Sequence, residues 1–404
     1  MTSYRGPVFD ADNHLVETAA NMSKYIEEPY RTTHLVESRE VGGVAPWFVG
    51  GRQCAIRAQS NKPGGLIPRP GSIAEFIKAL AGQNPDYHYV PVTPDITTRE
   101  GRLARMDAMN VEAAIVFPSE FLAIWPEVHD APARLALGHA FNRWFAEDWG
   151  FAYKDRIYGA PMLMLDDLDQ AVAEAEFLIR NGCRVVTMPV GPVAQKSPAN
   201  VHFDPVWSRL NEAGVTVAFH LGESFGTHGF LRDWGEQVTA DRLKTSAFYL
   251  MHAYGEAPMM HMLSSLIFHN LFERFPRLNI LSVENGCGWV LPFLKSMDKS
   301  RALARGGYWP CGQLKRRPSE IFAEHVRVVP FPEEDVKSLV DQGAADYLCM
   351  GTDYPHPEGV LTPDDFFNLA LKDVSAADAE KIMYGNARKI IPTQAARREA
   401  AALA

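Results

Sequence analysis

The sequence has few cysteines and no pattern among them. Cys54, Cys183, Cys287, Cys311 and Cys349 are scattered, odd in number and never spaced as CxxC. That excludes a disulfide framework and fits buried free thiols in a reducing cytoplasm. No apolar run approaches the ~20 residues that a membrane span needs. No basic segment followed by an apolar one marks a secretion leader, so a cytoplasmic chain is expected. An excess of basic charge is lacking too. The 40 Lys and Arg stand against 49 Asp and Glu, a formal net charge of -9, which argues against a nucleic-acid partner. The one basic cluster, Lys315-Arg316-Arg317, is short and suits a solvated loop. No short repeat recurs, and no GxGxxG follows the first apolar run, which argues against a dinucleotide-binding open sheet.

What is present is an alternation. The 404 residues are 47% hydrophobic and 22% charged, ordinary values for a globular chain. Short runs rich in Val, Ile and Phe alternate with stretches of helical period. Strands are expected at 7–12, 112–117, 157–165, 184–188, 215–220, 278–283, 325–329 and 347–350. Helices are expected between them, among them 97–110, 131–149, 167–180, 204–213, 258–275, 288–304 and 333–342. Asn181-Gly182 and Gly214 are their plainest stop signals. Strict β–α alternation implies parallel strands with right-handed crossovers. Eight units predict a closed (β/α)8 barrel, spanning 1–395 as one domain with a short tail at 396–404. A Gly- and Pro-rich stretch from about 17 to 98 interrupts the pattern, including Lys62-Pro63-Gly64-Gly65. It is read as an elaborated insertion after the first strand, suited to a lid or a subunit contact.

In such a barrel the active site is built at the C-terminal strand ends. The first strand ends in Asp12-Asn13-His14, the fifth in His220 followed by Leu221-Gly222-Glu223, the sixth in Glu284-Asn285-Gly286. The eighth ends in Gly351-Thr352-Asp353-Tyr354-Pro355-His356. Asp12 and His14 are two apart on an extended segment, so both face the interior. With His220 and Asp353 they offer two imidazoles and two carboxylates. That set suits one divalent ion, Zn²⁺ first, with Mn²⁺ or another ion also accommodated.

The matching stretches are Phe9-Asp-Ala-Asp-Asn-His14, Phe219-His220, Leu271-Phe-Glu-Arg-Phe-Pro-Arg-Leu278, Glu284-Asn-Gly-Cys-Gly-Trp289 and Gly351-Thr-Asp-Tyr-Pro-His-Pro357. In order and spread over nearly the whole chain, they resemble the amidohydrolase-related family. That family includes aminocarboxymuconate-semialdehyde decarboxylase and aromatic acid decarboxylases. The resemblance implies a distorted barrel with one divalent metal, held by Asp12, His14, His220 and Asp353. Two departures stand out. Asp12 replaces the first histidine of a frequent HxH pair, which hardens the donor set. Glu284 stands where family decarboxylases usually carry an acid–base histidine.

Catalytic roles are therefore expected for Asp353, Glu284 and His356. Glu284 serves as acid or base, or alternatively as a carboxylate orienting a ligand histidine. His356 is expected to reach substrate or to brace its loop. His269, His252 and His261 are expected to be structural, His228 sits in the loop after strand five, and Trp289 is expected to pack the mouth. Phe225, Phe230, Trp234 and Tyr354 suggest an apolar or aromatic acid substrate. The resemblance favours non-oxidative decarboxylation of a small carboxylic acid as the activity. Hydrolysis of an ester, lactone or amide is the alternative, with Asp353 taking a proton from water. A non-catalytic barrel is a further alternative. The resemblance also implies a homodimer, with 17–98 and 306–318 as candidate contacts.

Overall fold

The first strand, β1 (Val8–Leu15), is buried at every residue. Helices cover one face and a filled interior the other, so the strand is out of water along its whole length, and its polar residues Asp10, Asp12, Asn13 and His14 must find partners inside. The computed structural model describes residues 3–54, 65–222, 227–238 and 245–403, with 400–403 through their backbone alone. After β1 come β2 (Val111–Pro118), β3 (Ile157–Gly159), β4 (Val185–Thr187), β5 (Thr216–His220), β6 (Asn279–Val283) and β7 (Val326–Val328). They pair in parallel as β1–β2–β3 and as β4–β5–β6–β7.

Two irregular seams close the ring. Beyond β3 the chain runs on beside β4, where Thr187 N donates to Pro161 O at 2.7 Å and Leu163 N to Thr187 O at 2.9 Å. The run 157–165 gives only three residues of regular strand, because Pro161 has no N–H for a ladder. Residues 348–354 fill the eighth place. Cys349 N donates to Val328 O at 2.9 Å, Ala11 N to Met350 O at 2.9 Å and Asp353 N to Asp12 O at 2.7 Å. This segment is not a regular strand: Ala345–Tyr347 is one 3-10 turn, and Asp353 has left-handed backbone at φ 54. The result is a (β/α)8 barrel distorted at its seams.

Phe9, Ala11, Ala113, Ile115, Phe117, Ala218, Leu281 and Val283 fill the interior, and Ala387, Ile390 and Ile391 pack against them. Most helices fall where expected, as at Arg99–Ala108, Ala131–Asp148 and Leu168–Arg180. The Asp204–Ala213 helix stops at Gly214, whose φ of 60 needs no Cβ. The helix expected over 258–275 is two, Glu256–Phe268 and Leu271–Arg274. They part because Asn270 turns left-handed at φ 55, a conformation asparagine tolerates. His269 thus caps the first helix instead of lying inside one. The C-terminal residues form a helix, Gln394–Leu403, and Arg397 bonds to Ala213 O near its start.

The insertion carries a three-stranded antiparallel sheet, Val36–Ser38, Trp47–Val49 and Arg52–Gln53, and the helix Ile73–Leu80. Lys62, Pro63 and Gly64 lie outside the described residues. Trp47 fastens this unit to the mouth: its indole Nε1–H donates to Glu120 Oε2 at 2.6 Å. No helix among the described residues is long and apolar enough to cross a membrane.

Candidate metal centre

Asp12 and His14 sit at the upper end of β1, which bulges there. Asp10 pairs with Ala114 but Asn13 with Val116, so β1 spends one extra residue. Asp12 and His14 nevertheless converge, with His14 Nε2 3.3 Å from Asp12 Oδ1. His220, the last residue of β5, brings Nε2 to 3.0 Å from His14 Nε2 and 3.6 Å from Asp12 Oδ1. Asp353 Oδ1 lies 3.3 Å from His14 Nε2. All four residues are buried. The Phe117 ring packs against both imidazoles, with centroids 5.8 Å from His14 and 5.0 Å from His220.

The protons of this cluster can be assigned from its partners. His14 Nδ1 lies 3.2 Å from Pro118 O, and His220 Nδ1 lies 3.2 Å from Leu221 O. A carbonyl only accepts, so each Nδ1 donates, and each neutral ring turns the Nε2 lone pair inward. Two lone pairs 3.0 Å apart, beside buried carboxylate oxygens, form a cluster of acceptors. Asp12 Oδ1 has no hydrogen-bond partner although it is buried. Such a group calls for positive charge. The electrostatics agree. Burial alone would raise Asp12, but its histidine neighbours outweigh that and hold it down near 2. Burial would lower His220, yet Asp12 draws a proton to it and raises it above the ordinary histidine value. His14 is pushed down to about 4, mainly by burial. The negative field that raises His220 would equally hold a metal cation at the Nε2 lone pair in place of a second proton, and the donor set fits a divalent ion.

Around the cluster lie residues that the sequence did not single out. Asp10 accepts from Asn13 Nδ2 at 2.7 Å, Thr352 N at 2.9 Å and Thr352 Oγ1 at 2.6 Å, tying β1 to the eighth segment. Burial pushes its carboxyl up to about 6 despite these donors. Buried Arg102 donates to the His14 carbonyl and, at 2.6 Å, to Asp95 O. Glu17 accepts from the backbone N–H groups of Ser119, Glu120 and Phe121, at 3.1, 3.0 and 3.1 Å. Asp10 had a signal, since it lies in the same strand motif as Asp12. Arg102 and Glu17 had none, because their partners are backbone atoms distant in sequence.

Glu284 stands at the end of β6 with left-handed backbone, φ 57. Its Oε2 is 3.7 Å from His220 Nδ1. One oxygen each from Glu284, Asp353 and Glu358 lie within 4.8 Å of one another. His356 lies against His14, ring centroids 4.0 Å apart. Its Nδ1 donates to Asp353 Oδ1 at 2.7 Å.

The aromatic mouth is only partly as expected. Tyr354 donates its hydroxyl to Asp95 at 2.8 Å and stacks under Arg105, away from the cluster. Phe230 and Trp234 are 43% and 68% exposed, and Glu223 and Phe225 lie outside the described residues. Trp289 packs at the mouth as expected, its indole N–H donating to Asn285 O and Gly286 O.

Residues 10–393 match the amidohydrolase family. The chain belongs to that family. It is accordingly an amidohydrolase-superfamily metalloenzyme, and the (β/α)8 barrel is the family's own. An amidohydrolase from Mycobacterium avium subsp. paratuberculosis K-10 superimposes with a TM-score of 0.81 at 28% identity, over 96% of this chain and 100% of that one. A 5-carboxyvanillate decarboxylase from Novosphingobium aromaticivorans, solved with manganese and 4-hydroxy-3-methoxy-5-nitrobenzoic acid, shares the fold. Its TM-score is 0.61 at 18% identity, over 96% of each chain. Among curated proteins, 2-amino-3-carboxymuconate-6-semialdehyde decarboxylase of Dictyostelium discoideum is 26% identical over 185 residues. That alignment covers 45% of this amidohydrolase and about half of the relative, 49%.

Proposed function

We propose that this amidohydrolase removes CO2 without oxidation from a small aromatic or unsaturated carboxylic acid, using one divalent ion held by Asp12, His14, His220 and Asp353. The observation that carries the metal assignment is the ring of inward lone pairs around the partnerless Asp12 Oδ1. Zn²⁺ and Mn²⁺ both suit two imidazoles and two carboxylates. The decarboxylase reading draws on the relatives, two of which bear that name.

When bound, the cation supplies the positive charge that holds and polarises a substrate carboxylate or neighbouring oxygen. The remaining work belongs to side chains. His14 and His220, locked through Nδ1 to backbone carbonyls, keep their Nε2 atoms aimed at one point. Phe117 and the apolar barrel interior beneath them exclude water. Decarboxylation breaks a C–C bond, leaves its electron pair on carbon and requires a proton there. Glu284 is the proposed donor. It is placed at a strand end, beside the cluster, in a backbone conformation that costs a non-glycine residue of order 1 kcal/mol or more. Strain of that kind is often kept where it aims a functional group.

The test is product analysis of metal-loaded protein with a panel of hydroxybenzoic and unsaturated dicarboxylic acids. CO2 release that Glu284→Gln reduces by roughly 100-fold or more supports the reading. Cleavage of an ester, lactone or amide, with no CO2 from any acid, overturns it in favour of hydrolysis.

A further inference from the structure

His356 has both ring nitrogens engaged. Nδ1 donates to Asp353 Oδ1 at 2.7 Å, and Nε2 accepts from the Ser119 hydroxyl at 2.9 Å. The carboxylate can only accept, which places the proton on Nδ1 and leaves Nε2 for the hydroxyl. Ser119 is 2% exposed, and its own backbone N–H is fixed by Glu17 at 3.1 Å. Glu17, Ser119, His356 and Asp353 thus form an unbroken line of hydrogen bonds from the end of β1, across the end of β2, to the eighth segment. Its last member is one of the proposed metal ligands.

We infer that Ser119, anchored by Glu17, is a positioning residue that acts through His356 to fix the Asp353 carboxylate for the metal. The inference rests on the metal assignment above. The order serine, histidine, aspartate is also that of a nucleophilic triad, but two observations oppose that use. The Ser119 hydroxyl is buried, and the N–H groups of Ser119, Glu120 and Phe121 are all given to Glu17, so this turn has no donor left for an oxyanion. The line instead resembles the support that outer partners give to ligand side chains, whose loss typically weakens metal binding 10- to 100-fold. It also assigns His356 to bracing Asp353, and not to contact with substrate.

A double-mutant cycle on Mn²⁺ affinity tests this, with metal-free full-length protein titrated by Mn²⁺. Ser119→Ala is expected to weaken Mn²⁺ binding on the order of 10-fold or more. In a His356→Ala background the same change is expected to shift affinity less than twofold, because its path to Asp353 is already cut. Thermal melting of each variant reports folding. If Ser119→Ala does not fold, Ser119→Cys, which fills the space with a weak donor, reads the same coupling. A Ser119 variant that binds Mn²⁺ like the wild type, or a loss that persists without His356, overturns the inference while leaving the metal site standing. Wild-type protein that takes up no Mn²⁺ overturns both.

Discussion

Single residues at this site do work that their type alone does not announce. Glu17 shows why. Burial and the neighbouring Glu120 push its carboxyl up to about 7, although three backbone N–H groups favour the anion. Its folded-state pKa is raised, so below the unfolded value, near 4.5, both states are protonated and the shift costs nothing. Between 4.5 and 7 the unfolded chain loses the proton first, and stability falls as pH rises. At ~1.4 kcal/mol per unit, the cost above pH 7 reaches roughly 3 kcal/mol at most. Glu17→Gln removes that titration. The wild-type stability relative to the variant is expected to decline from pH 4.5 to 7, measured by urea unfolding of metal-free protein. A difference independent of pH would contradict the assignment. Residue identity was legible where motif and chemistry coincide, as at Asp12, His14, His220 and Asp353, which the structure brings together. Ser119 was not legible, because a serine after an apolar run is commonplace, and only the fold sets it against His356.

Elements position these residues through close approaches that side chains would spoil. The eighth segment crosses β1 at Gly351, where an added Cβ would meet Asp12 Cβ at 2.5 Å and Val329 Cγ1 at 2.6 Å. Neither neighbour is a flexible tip. Gly351→Ala is therefore expected to displace Asp12 and to weaken metal binding by about 10-fold or more, of the order seen when a ligand's support is lost. Metal titration of the folded variant checks it, and unchanged affinity would show that the segment can move aside. Trp47 ties the insertion to the mouth through its bond to Glu120, beside the contacts of Arg52 with Glu127. Trp47→Phe keeps the ring and removes the donor, and a loss of roughly 1–3 kcal/mol in unfolding free energy is expected. Most helix and strand positions were legible from period and stop signals. The breaks were less so. The split at Asn270 and the irregular eighth segment depend on left-handed backbone at Asn270 and Asp353, which hydrophobic period does not report.

The whole barrel exists to bring ends of distant strands to one mouth. β5 lies across the ring from β1 and its neighbour the eighth segment, yet His14 reaches both His220 and Asp353 within 3.3 Å. Closure was legible from counting eight alternating units. The two seams were not: bonds at the eighth segment, such as Ala11 N to Met350 O, join residues hundreds of positions apart, and at β4 Pro161 breaks the strand that the apolar run suggests. A cation bound only by the folded form must stabilise it: at a hundred times Kd, Mn²⁺ or Zn²⁺ is expected to add about 2.7 kcal/mol, read as a higher melting temperature that a chelator reverses. The position of such an ion tests the four-residue site most directly. A crystal grown with Mn²⁺ and measured for anomalous scattering should show one strong peak roughly 2.0–2.3 Å from Asp12 Oδ1, His14 Nε2 and His220 Nε2, with Asp353 beside it. A metal-saturated crystal with no peak touching at least three of these four residues would contradict it.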